Sequence, residues 1–138
     1  MTIERQKTIE RQNPPGLHTP PGYHHVTVTE ARRTVYLAGQ CPVAADGSVV
    51  AGDILAQTDQ VVANTAAALA FAGAAPSDVV RTVIYVTTDD RETLSAVWDR
   101  FTASEIGAAF TSASTLLGVS RLGFPGQLVE LEVTAAPA

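Results

Sequence analysis

With 138 residues, 46% of them hydrophobic, the chain has the size of one domain and enough apolar content for one core. Nine Lys and Arg against fourteen Asp and Glu leave a net charge of −5 with His neutral, which excludes a basic stripe suited to phosphates, so nucleic acid is not an expected partner. A lone Cys41 rules out an intrachain disulfide and a cysteine zinc cage, and no run approaches the roughly 18 apolar residues of a membrane span, so the expectation is a cytoplasmic protein without a membrane partner.

The pentamer TIERQ occurs at 2–6 and again at 8–12, separated by Lys7, and is too short to be a structural repeat. NPPGLHTPPG follows, and its prolines and glycines deny both helix and ladder hydrogen bonds. Residues 1–22 therefore read as an extended N-terminal arm, ahead of a domain over 23–138.

Next, HHVTVTE (24–30) alternates and RTVYLAG (33–39) is rich in β-branched and aromatic residues, which predicts two strands paired as a hairpin across the polar break at 30–33. A turn is expected at 45–48. Asp53 is a candidate N-cap for a helix whose apolar face is Leu55, Val62, Ala66 and Leu69, ended by Gly73 and Pro76. The run Val79–Val86 is nearly continuous in β-branched residues, as in a strand buried on both faces. Thr88 or Asp89 is expected to cap a second helix with Leu94, Val97, Trp98 and Phe101 at i, i+3, i+4 and i+7, closed by Gly107. Two strands complete the chain, Ser114–Leu122 and Leu128–Ala135; in the latter, alternation puts Glu130 and Glu132 on one face.

This order predicts an α+β domain with two helices packed on one side of a mixed sheet. The other side is left uncovered, which predicts that it is an interface between copies of the chain.

Four stretches in this order resemble the RidA (YjgF/L-PSP) family: PPGY at 20–23, LAGQCP at 37–42, the Ala-rich helix ending in AGA, and VELE at 129–132. The resemblance runs from about residue 13 to the C-terminus. It implies a chorismate-mutase-like fold, a homotrimer with pockets at the subunit interfaces, and hydrolysis of reactive enamines and imines to 2-keto acids and ammonia with neither metal nor organic cofactor. Tyr23 matches the family's pocket tyrosine, Gly39 the glycine of the pocket floor, and Glu130 the acidic residue of the last strand. Family members that deaminate carry a Pro-Ala-Arg-Ser/Thr stretch. Aligned on Ser112-Ala113-Ser114-Thr115, it puts Ser114 where the arginine would clamp a substrate carboxylate, and a neutral hydroxyl cannot replace that bidentate pair.

The candidate site is thus Glu130 as general acid and base, with Tyr23, Gly39, Ser114 and Thr115 binding a small-molecule ligand. Without the resemblance, Glu130 is simply part of the polar face of a strand, and for Glu132 that reading stands. His24 and His25 are adjacent in a strand and point to opposite faces, so at most one joins Tyr23, and no zinc site is expected. Cys41 lies beside the pocket loop, but the sequence shows no partner base for a nucleophile. Arg32, Arg33, Arg81 and Arg121 are candidates for a substitute clamp. Two functions compete: an enamine or imine hydrolase with altered or weakened activity, and a non-catalytic small-molecule-binding trimer. An endoribonuclease sits badly with the charge.

Overall fold

A computed structural model describes residues 7–138. Its main sheet has four strands in the order β3-β6-β4-β5, where β3 is Val35–Tyr36, β4 Val79–Thr87, β5 Ala113–Val119 and β6 Val129–Ala135. β4 and β5 run parallel, joined by a crossover through helix α2 (Arg91–Thr102), while β6 is antiparallel to both β3 and β4. The sheet is mixed, as expected, and β4 is interior.

Helices α1 (Ile54–Phe71) and α2 pack on one face, where Ile84, Val86, Val129, Leu131 and Val133 join Val61, Leu69, Val97, Phe101 and Phe110 in the core. The α2 stripe is the expected one. In α1 the buried stripe is rotated from the predicted face: Gln57, Thr58, Val61, Val62, Thr65 and Leu69 are buried, while Leu55 is only half-buried. Two threonines enter the core because each hydroxyl is satisfied within the helix, Thr58 donating to the Ile54 carbonyl and Thr65 to that of Val61. Gln57 enters because its amide meets the backbone of the loop before β6.

The helix ends are set by local chemistry. Asp53 caps α1, accepting from the Ala56 amide at 2.9 Å. Gly73, at φ +74°, closes it in a Schellman motif, with Gly73 N–H on the Ala70 carbonyl and Ala74 N–H on that of Leu69. The cap of α2 is Asp90, neither Thr88 nor Asp89: its carboxylate accepts from Glu92 N–H and the Thr93 hydroxyl, and Thr88 supports it by accepting from Asp90 N–H. The helix stops at Thr102, and Gly107 instead opens a short 3-10 segment, Gly107–Thr111.

The predicted hairpin between 24–30 and 33–39 does not form. β2 (Val26–Glu30) pairs with β1 (Thr8–Gln12), the second TIERQ copy, and β3 pairs with β6. Alternation marks which residues are strands; which strand takes which edge is settled by competition among all of them, and here β1 outcompetes β3 for β2. The segment expected as an arm is tied down in this way. Arg11 donates to Ser112 Oγ and to the Ser77 carbonyl, each at 2.9 Å, and Lys7 pairs with Asp78. The first TIERQ copy, at 2–6, lies outside the described residues.

Opposite the helices, the sheet presents Arg81, Val83 and Tyr85 of β4, Thr115 and Leu117 of β5, and Glu130, Glu132 and Thr134 of β6. This face is mixed rather than broadly apolar. Tyr36 at its edge is 78% exposed and Leu117 42%. Among the described residues, no helix is long and apolar enough to cross a membrane.

Candidate functional site

Glu130 stands on the open face, directly across from Tyr85 in the β4–β6 ladder. Past Tyr36 the chain continues along β6, with Leu37 N–H on the Val133 carbonyl and Gln40 and Leu131 exchanging both backbone bonds. Val35 and Tyr36 face Ala135 and Thr134, whereas Gln40 faces Leu131, so the register slips by one residue at Ala38–Gly39. Such a bulge re-aims side chains. In an unbroken register Gln40 would oppose Glu130; the slip puts Cys41 there.

The result is a compact cluster around one carboxylate. Cys41 Sγ donates to Glu130 Oε1 at 3.1 Å, and Gln127 Nε2 donates to the same oxygen at 3.1 Å. Glu130 Oε2 lies against the α-carbon of Gly39, and a Cβ there would sit 2.9 Å from Glu130 Cδ, so glycine is required for the carboxylate to stand where it does. Burial, and then the hydrogen bond and charge of Glu130, push the Cys41 thiol up to about 11. Cys41 is therefore a protonated donor, not a thiolate nucleophile.

A second cluster lies on the other side of the sheet. Ser114 pairs with Thr82 in the β4–β5 ladder, and Thr82 Oγ1 donates to Ser114 Oγ at 2.6 Å, which fixes Ser114 on the helix face. With Tyr23, Pro21, Leu116 of β5, and Ser95, Trp98 and Asp99 of α2, it lines a cavity of about 430 Å³. Tyr23 meets Trp98 edge-on at 6.3 Å between ring centres, and its hydroxyl lies 3.5 Å from His18 Nε2. Ser114 donates its own hydroxyl hydrogen to the Ser112 carbonyl, so what it presents to a ligand is an acceptor. Among the described residues, the one charged residue lining this cavity is Asp99, and none of Arg32, Arg33, Arg81 or Arg121 lines it. Arg33 instead bonds to the Ala72 and Ala138 carbonyls.

Within one chain the sheet therefore divides the five predicted residues. Glu130 and Gly39 are in contact, Tyr23 and Ser114 share a cavity, and β-strand parity places Thr115 on the Glu130 side, across from Val83. The two histidines separate as expected, His24 donating to the Thr111 carbonyl and His25 to that of His18. Among the described residues, no group of three or more His, Cys, Asp or Glu gathers as a metal site.

Sequence reasoning missed Gln127 altogether and set Cys41 aside. Gln127 sits in the Phe124-Pro125-Gly126 turn before β6, where an amide side chain looks solvated, yet it is only 3% exposed. Trp98 was legible only as part of an apolar helix stripe.

Residues 17–137 match the endoribonuclease L-PSP family. A RutC family protein of Pyrococcus abyssi is 42% identical over 53 residues, 38% of this chain and 42% of that relative. Among solved structures, the Rid-family protein YyfB of Yersinia pestis superposes with a TM-score of 0.82 at 36% identity, covering 94% of this chain and 98% of that one. YyfA, a second Rid-family protein of that organism, gives 0.67 at 32% identity over 96% and 100% of the two chains. The YjgF gene product of E. coli gives 0.60 at 30% over 76% and 81%. A match across nearly the whole sequence, carried by the same two-helix, mixed-sheet architecture, shows that the chain belongs to the Rid (YjgF, endoribonuclease L-PSP) family.

Proposed function

We propose that the protein binds small imines, enamines or related carbonyl compounds and hydrolyses them, with Glu130 as the group that moves the proton. Family membership supports the small-molecule role. The observation that carries the chemistry is the state of Glu130: half-buried, held through Oε1, and with Oε2 free of any protein donor among the described residues. A carboxylate oxygen so placed is a base. It takes a proton from water as the water oxygen adds to the C=N carbon. That proton goes to nitrogen to give a carbinolamine, whose hydroxyl proton then passes through the same carboxylate to nitrogen as the C–N bond breaks, so that a carbonyl compound and ammonia leave. The reaction is redox-neutral, so it needs no redox cofactor.

Tyr23 and Ser114 lie across the sheet from Glu130, so one pocket that uses all three draws on two protomers. In the proposed homotrimer, the open sheet face of one copy closes over the Tyr23–Ser114 cavity of its neighbour, with Thr115 and Gly39 completing the wall on the Glu130 side. Where an arginine would hold a substrate carboxylate, this cavity offers a hydroxyl oxygen and Asp99. Anionic imines such as 2-iminopropanoate are accordingly poor substrates, and neutral ones are preferred.

The test compares Glu130→Gln with Glu132→Gln in an imine hydrolysis assay. Glu132 points the same way two residues on but is solvent-exposed, so both variants lose one unit of charge and only the first loses the base. Hydrolysis is expected to fall about 10²- to 10⁴-fold in the first and little in the second. Ser114→Arg is expected to raise turnover of carboxylated imines. Equal, undiminished activity in the two Gln variants removes Glu130 as the base, and no turnover by the wild type while small ligands still raise its melting temperature makes the protein a binding trimer without chemistry.

A further inference from the structure

We propose that Cys41 and Gln127 are positioning residues for Glu130: their two donors converge on Oε1 and leave Oε2 as the one oxygen that meets water or substrate. The inference deepens the hydrolytic reading above and rests on it.

Gln127 is built for this. It is 3% exposed, and each end of its amide is fixed. Oε1 accepts from Phe124 N–H at 3.1 Å, while Nε2 donates both to the Val129 carbonyl and to Glu130 Oε1, each at 3.1 Å. The turn that carries it is clamped by Gln57 of α1, which donates to the Gly126 carbonyl at 2.9 Å and accepts from Leu128 N–H at 2.8 Å. A buried amide with every group spoken for cannot turn away, so its N–H holds the carboxylate from one side.

Cys41 holds it from the other. The bulge at Ala38–Gly39 puts Cys41, not Gln40, across from Glu130, and the half-buried thiol stays protonated beside the carboxylate. Gly39 completes the arrangement: with no side chain it admits Oε2, where any Cβ would force the carboxylate to shift. The other titratable groups on this face are Tyr85, across the ladder, Glu132, further along the strand, Arg81 of β4 and Tyr36 of β3. None of them is among the hydrogen-bond partners of Glu130.

The test has two arms that fail separately. Cys41 is the only cysteine, so the infrared S–H stretch of the whole protein reports this thiol alone. A band lowered in the wild type and moved to the position of a free thiol in Glu130→Ala is expected. Bands that coincide in the two proteins overturn the proposal whatever the activity does. The kinetic arm measures imine hydrolysis. Cys41→Ala and Gln127→Leu are each expected to lower kcat about three- to tenfold with KM unchanged, and Cys41→Ser, which keeps a donor, is expected to restore kcat to within about twofold. Unchanged kcat in Cys41→Ala, or a loss that Ser does not rescue, overturns the positioning role. If the wild type turns over no imine, the hydrolytic reading falls by itself, and the infrared arm still decides whether the donor holds Glu130.

Discussion

The chemistry at the residue scale turns on how one thiol and one carboxylate divide a proton. Burial opposes the thiolate of Cys41, and the charge and hydrogen bond of Glu130 oppose it further, raising the thiol from 9.0 to about 11. Alkylation by iodoacetamide is therefore expected to be slow at pH 8 and to accelerate as pH rises through about 11. Glu130→Gln removes the repelling charge and shifts this profile to lower pH, as alkylation rates followed by mass spectrometry would show. Linkage fixes the sign for stability. A thiol whose proton is held more tightly in the folded state costs nothing below pH 9.0, and its contribution is lost as pH rises from there toward about 11. A profile that does not move in Glu130→Gln would mean that burial alone raises the thiol.

Two elements owe their shape to local features whose removal has a calculable cost. Gly73 holds φ +74° at the end of α1, a conformation that strains any residue with a Cβ. Gly73→Ala is expected to cost about 1 kcal/mol and to lower Tm by several degrees in a thermal melt. β1 is a different case, since it is the partner of β2 and reaches the rest of the domain through Arg11 and Lys7. Deleting residues 2–12 unpairs the β2 edge and strips Ser112 Oγ of its Arg11 donor. Tm is expected to fall well beyond the Gly73→Ala effect, because a whole five-residue ladder goes with it. A melt identical to that of the full chain would make β1 an ornament.

For the whole molecule, the decisive question is what covers the sheet face opposite the helices. Leu117 and Tyr36 are exposed there beside Glu130 and Glu132, a mix of apolar and charged groups that suits a specific interface better than an aggregation surface. In the proposed trimer, light scattering gives three times the 14.4 kDa of one chain. Leu117→Arg puts a charge in that interface and is expected to dissociate the trimer, while the helix-side core, which Leu117 does not touch, keeps the monomer folded by circular dichroism. If Leu117→Arg leaves the mass unchanged, the assembly uses another surface.

The sequence by itself determined most of the elements, β1, read as part of an extended arm, being the exception. Two helices, a buried central strand and an alternating last strand follow from periodicity, because the apolar side of each must be buried whatever it packs against. Asp53, Gly73 and the stripe from Leu94 to Phe101 were legible for the same reason, each acting within a turn or two of chain. The motifs around Tyr23, Gly39 and Glu130 identified the family. Tertiary structure alone decided what depends on partners far along the chain: that β2 takes β1 rather than β3, that α1 buries Gln57 and two threonines because their polar atoms find acceptors and donors, and that Ser114 and Glu130 stand on opposite faces of one sheet. The contact of Cys41 with Glu130 belongs to the second group. It spans 89 positions in sequence and exists because a single extra residue at Ala38–Gly39 shifts the register by one, which in a strand exchanges one opposing side chain for the next.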